Sequence, residues 1–149
     1  MDKKRSVFIT IMCILLLVIT VGLFSTWGYQ WVNYLLAKSF NVETQSSIYD
    51  LFIGLIAMIS SVIVFIGVIS VWQMKSSALK LMLYGSIGFL IKNVLDIIND
   101  VNPLLKLAEI SSSDITDASW AIGSDLFQMA FWIFIIILFS RQSFKEQLS

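Results

Sequence analysis

The chain has 149 residues, 58% of them hydrophobic and only 13% charged, and its basic and acidic side chains balance at zero net charge. Soluble domains carry about 25% charged residues, and a chain this short leaves too much surface in water to hide so much apolar area. Balanced charge argues against a nucleic-acid partner, the absence of His removes the commonest metal ligand and general base, and the lone Cys13 leaves no intrachain disulfide or zinc cluster.

About 20 mostly apolar residues cross a bilayer core. The first such run is 7–26, preceded by the basic segment "DKKR". It is longer than the h-region of a signal peptide and no A-x-A site follows, so it is read as a retained span. Cys13 lies inside it and is expected to face lipid or pack. Trp27, Tyr29, Trp31 and Tyr34 follow as an aromatic belt at headgroup level. They either extend the first span or lie along the surface as a short amphipathic segment.

The second run is 51–72. A tight turn, "MKSSA" at 74–78, makes it an antiparallel hairpin with the third run, 79–98. Pro103 is expected to stop the chain there as a helix, with Leu104, Leu105, Leu107 and Ile110 forming a brief amphipathic turn on the membrane. Asp114 or Asp117 is expected to cap the fourth run, 120–139. Only helices and closed barrels satisfy their backbone in lipid. The predicted fold is therefore an all-α integral membrane protein, a four-transmembrane-helix antiparallel bundle forming one domain.

Lys3, Lys4, Arg5, Lys75, Lys80, Arg141 and Lys145 all fall on one side of that topology, against Lys38 and Lys106 on the other. The positive-inside rule then places both termini in the cytoplasm, in a multi-pass protein of the cell's inner (plasma) membrane.

The third run carries charge near its middle. Gly85, Gly88, Lys92, Asp96 and Asn99 recur at three- and four-residue spacing, the signature of one helix face, and Asn93 lies beside them. Ala121, Asp125, Gln128 and Trp132 form a similar stripe on the fourth run. Counted at 1.5 Å per residue, Lys92 and Asp125 lie at matching depths. The two stripes are expected to face each other, with Lys92 paired to Asp96 on its own helix and to Asp125 across the interface. Each such charge costs about 2.5–3.5 kcal/mol at a helix centre, so this polar seam (Lys92, Asn93, Asp96, Asn99, Asp125, Gln128) is the candidate site.

Ala57 with Ser61, and Ser119 with Gly123, have the small-xxx-small spacing that lets helices approach closely. Ser60 and Ser61 are expected to bond back to their own helix, since nothing nearby activates them as nucleophiles. Asn93-Val94-Leu95-Asp96 is similar in shape to the N-x-x-D around the first Asp of bacterial lipoprotein signal peptidases, which also have four spans. The Arg after that Asp, the Asn-x-Ala-Asp pattern and the D-x-x-[ST]-K motif of the family are missing here.

The sequence therefore points first to a partner-binding or assembly subunit, acting through the seam on another membrane protein or an identical copy. A transport or ligand-binding protein with an outward-facing polar pocket is the alternative, and an intramembrane aspartyl hydrolase the third reading. Membrane lipid is the expected surrounding. No nucleic acid, cofactor or metal is expected, and an enzymatic role is less favoured.

Overall fold

The computed structural model describes residues 7–42, 47–106 and 112–141, of which 103–106 and 112–114 are described by their backbone alone. All regular structure there is helical: α1 (Val7–Ser39), α2 (Ile48–Trp72), α3 (Ser77–Lys106) and α4 (Ser112–Ser140). Each contains a stretch long and apolar enough to cross a membrane. The four expected runs are all present as helices. The basic residues at 3–5 and 145 and the amphipathic-turn residues Leu107 and Ile110 lie outside the described residues.

The helices outgrow the apolar runs at one end, the end distant from residues 7 and 140. α1 continues through the aromatic segment to Ser39, which decides between the two expectations for Trp27–Tyr34. It stops where Asn41 takes a left-handed φ of 54°. There the Val42 N–H reaches back to the Ala37 carbonyl at 2.9 Å, the six-to-one bond of a helix C-cap.

α2 starts earlier than its apolar run because Ser47 and Asp50 close a capping box. The Asp50 N–H donates to Ser47 Oγ at 3.1 Å, and the Ser47 N–H donates to Asp50 Oδ2 at 2.8 Å. Two orphan N–H groups of the first turn are satisfied this way. α2 ends as α1 does, with Met74 at φ 56° and the Lys75 N–H bonded to the Ser70 carbonyl at 2.9 Å.

Two expected boundaries are corrected. α3 runs through Pro103 to Lys106, so Pro103 does not stop it. Proline removes one donor and biases the preceding residue away from helix, but that is a bias which an established helix overrides. α4 begins at Ser112, so Asp114 and Asp117 lie inside the helix and neither is its N-cap.

Extensive interfaces join α1 to α2, α2 to α3 and α3 to α4, and the short connections make each pair antiparallel. The apolar core gathers Leu16 of α1, Val64 and Val68 of α2, Met82 and Phe89 of α3, and Trp132 and Ile135 of α4. α2 is the most enclosed helix, with 44% of its apolar window buried, against 22% for α1 and for α4. The first and last helices thus present mostly open faces.

The α2–α3 contact is the tightest. A Cβ on Gly85 would press into the Val64 side chain and come within 3.1 Å of the Val64 backbone nitrogen, and one on Gly88 would run into Ser60. Ala57 and Ser61 are buried, and Ser61 Oγ donates to the Ala57 carbonyl at 2.8 Å, the back-bond expected of a helical serine. Ser119 and Gly123 differ. Both are exposed, and a Cβ on Gly123 would meet nothing within 4 Å.

Candidate functional site

Halfway along α3, Lys92 is 5% exposed. Its Nζ pairs with Asp96 Oδ2 one turn on, lies 3.6 Å from Asp125 Oδ1 of α4, and donates to Asn93 Oδ1 at 3.1 Å. The ammonium also sits 5.7 Å from the centre of the Trp27 ring of α1, within cation–π range. Both partners inferred from spacing and depth are therefore present. An ion pair this enclosed is stable only when geometry and further hydrogen bonds offset desolvation, and Lys92 has three polar partners and an aromatic face.

α2 enters in two ways. The Trp27 indole lies against the backbone of Gly54, where a Cβ would fall 2.7 Å from ring carbon Cε3. Near the distal end, Asn99 Nδ2 donates to Asp50 Oδ1 at 2.9 Å. Asp50 divides its carboxylate: one oxygen caps α2 and the other holds α3. The polar contacts therefore join all four helices, a wider reach than the two-helix seam read from the sequence.

Below the cluster, Phe89 and Trp132 stack with ring centres 4.2 Å apart and planes 9° from parallel. Phe131 meets Trp132 edge-on at 5.2 Å. Trp132 shares the Asp125 stripe as expected, and both are buried.

Three sequence expectations come out differently. Gln128 donates along its own helix to Ser124 Oγ at 3.5 Å rather than joining Lys92. Asn99 turns to α2 rather than to α4. Gly85 and Gly88, which share its stripe, also pack on α2. Both ends of the stripe therefore pack on α2, and only Lys92 between them reaches α4. Of the aromatic belt, Trp27 and Trp31 are partly buried, Tyr34 is half-buried and Tyr29 is exposed. Asp50 was missed, although Ser47-x-x-Asp50 ahead of an apolar run is a capping-box pattern.

Formally the Lys92–Asp96–Asp125 trio carries one negative charge in excess. Asn93 is fully buried, and its Nδ2 has no partner among the described residues. Among those residues no group of three or more His, Cys, Asp or Glu side chains could hold a metal ion. Chemically the arrangement suits charge neutralisation and helix registration, with one amide donor to spare. Compared with known proteins, the chain matches no family model, no curated protein and no solved structure.

Proposed function

We propose that this protein is a multi-pass protein of the cell's inner (plasma) membrane, with both termini cytoplasmic, that acts as a partner-binding or assembly subunit. The internal pairing of Lys92 carries this reading. Lys92 is answered by Asp96, Asp125 and Asn93 inside the chain, while the open faces of α1 and α4 are largely apolar. The seam then serves assembly indirectly, by fixing the helices whose outer faces meet lipid and partners. The distribution of Lys and Arg supports the orientation. Lys92 also lies between Asp96 and Asp125, which disfavours an aspartyl dyad sharing one proton across its two carboxylates.

Ligand binding is the second reading, favoured by the unpartnered Asn93 Nδ2 and the excess negative charge. It calls for a cationic or zwitterionic ligand entering beside Asp96.

Purification from native membranes in mild detergent separates the two. Wild type is compared with Asp125→Asn, which removes charge and keeps volume. A particle larger than one chain, with one component present stoichiometrically and lost in the variant, is the expected result. A well-folded wild-type monomer with no companion would overturn the assembly reading.

A further inference from the structure

Resting on that assembly reading, we infer that α1 is the surface through which two copies of this chain pair, in parallel, with the helices closest at Gly22 and Ser25. On the side of α1 turned away from its own bundle, Ile11, Leu15, Val18, Gly22 and Ser25 recur at alternating four- and three-residue steps, and all are exposed. The same spacing continues without a break through Tyr29, Val32 and Leu36, which are 68%, 54% and 51% exposed. Apolar residues at this period can line a helix–helix seam, and past Thr26 the stripe stands apart from the exposed polar Gln30 and Asn33.

Lipid accounts for only part of that stripe. α1 has 33 residues, or about 50 Å of helix, against a hydrocarbon core of about 30 Å. In the proposed orientation its last turns, with Tyr29, Val32 and Leu36, rise beyond the core on the non-cytoplasmic side, where acyl chains do not reach. A partner that covers both parts must follow α1 through the bilayer and continue beside it on the same side. The α1 of a second copy, inserted with the same topology, has that length and direction by construction.

Two features favour like pairing with like. No charged residue occurs between Val7 and Ala37, so identical stripes do not repel and carry no charge pattern that selects a different partner. At the centre, Gly22 and Ser25 leave the backbone bare, and a Cβ on Gly22 would meet nothing within 4 Å of its own chain. Small residues at such a point let two backbones approach closely. To make a stable specific interface, a second copy seated along the stripe must bury about 1,000 Å² or more in total.

Disulfide trapping tests the inference. In a Cys13→Ala background, Ser25→Cys and Val32→Cys are oxidised in native membranes beside Phe134→Cys, an exposed position on α4. The α1 positions are expected to give a covalent dimer of this chain several-fold above the α4 control. Adding Gly22→Ile should reduce that yield several-fold without altering the thermal unfolding of the detergent-purified protein, because the position is exposed and an added Cβ meets nothing within 4 Å of its own chain. Cross-links from Ser25→Cys and Val32→Cys to a different protein would overturn self-pairing and leave the assembly reading standing. An oligomer on native gels that α1 cysteines never trap would do the same. Monomers throughout, with no cross-link at any position, would overturn both.

Discussion

Toward the ends that carry residues 7 and 140, the helices meet through Leu16, Val68, Met82, Ile135 and Phe139, all apolar and buried. From Lys92 toward the distal end, ion pairs and hydrogen bonds enter the contacts that join helices, Lys92 with Asp125 and Asn99 with Asp50, beside the packing of Trp27 on Gly54. The two halves obey different rules. In the proposed bilayer setting, the hydrophobic effect supplies no driving force between apolar helices and packing alone distinguishes one register from another. Several registers are then close in energy. A buried cation and its carboxylates tolerate few geometries, because leaving one unpaired costs several kcal/mol. The apolar half supplies close packing and the polar half selects the register.

Lys92→Leu is the sharpest way to break that division. It strands Asp96 and Asp125, and removing one partner of a buried pair costs about 3–5 kcal/mol. The variant is expected to lose most of its folded population in detergent, followed by thermal unfolding. Asp125→Leu should cost less, since Lys92 keeps Asp96 and the trio loses its excess negative charge. Equal losses for the two substitutions would mean that Lys92 is not the hub. Gly85→Val probes the apolar side, where the Val64 and Ser60 backbones stand within 3.3 Å of any added Cβ. Overpacking of this kind costs about 1–3 kcal/mol, so unfolding should come several degrees earlier while the Lys92 cluster persists. Gln128→Leu should have the smallest effect, within about 0.5 kcal/mol, because among the described residues Gln128 bonds along α4 to Ser124. A loss as large as that of Asp125→Leu would put Gln128 back in the cluster.

The division also explains what the sequence revealed. Four apolar runs were plain, because crossing a bilayer takes a set length and composition and each helix contains a stretch with both. Lys92, Asp96 and Asp125 were legible for the opposite reason: charges are so costly in such runs that spacing and depth nearly name their partners. Helix ends were not, since an apolar run marks only the stretch suited to hydrocarbon and a helix ends where its backbone bonds are capped. Ser47 and Asp50 were the available signal for α2, and Asn41, a residue that tolerates left-handed backbone, was the one for the end of α1, whereas Met74 gave none. Small residues were ambiguous in another way. Ala57-x-x-x-Ser61 and Ser119-x-x-x-Gly123 have the same spacing, yet one is buried and the other faces outward, because the outcome depends on which helix arrives opposite. Trp27 was read as a belt residue, and only the bare backbone of Gly54 on α2 shows why it turns inward.

Asp50 gives the α2–α3 hairpin a property that neither helix has alone. The connection at 73–76 fastens one end of the pair covalently, and the carboxylate fastens the other, one oxygen on the Ser47 amide and the other on Asn99. Fraying of the first turn of α2 and detachment of α3 at that level are therefore a single cooperative event rather than two independent ones. The pair behaves as a clasp closed at both ends, and amide protons in the first turn of α2 exchange with solvent at a rate set partly by a side chain 49 residues away.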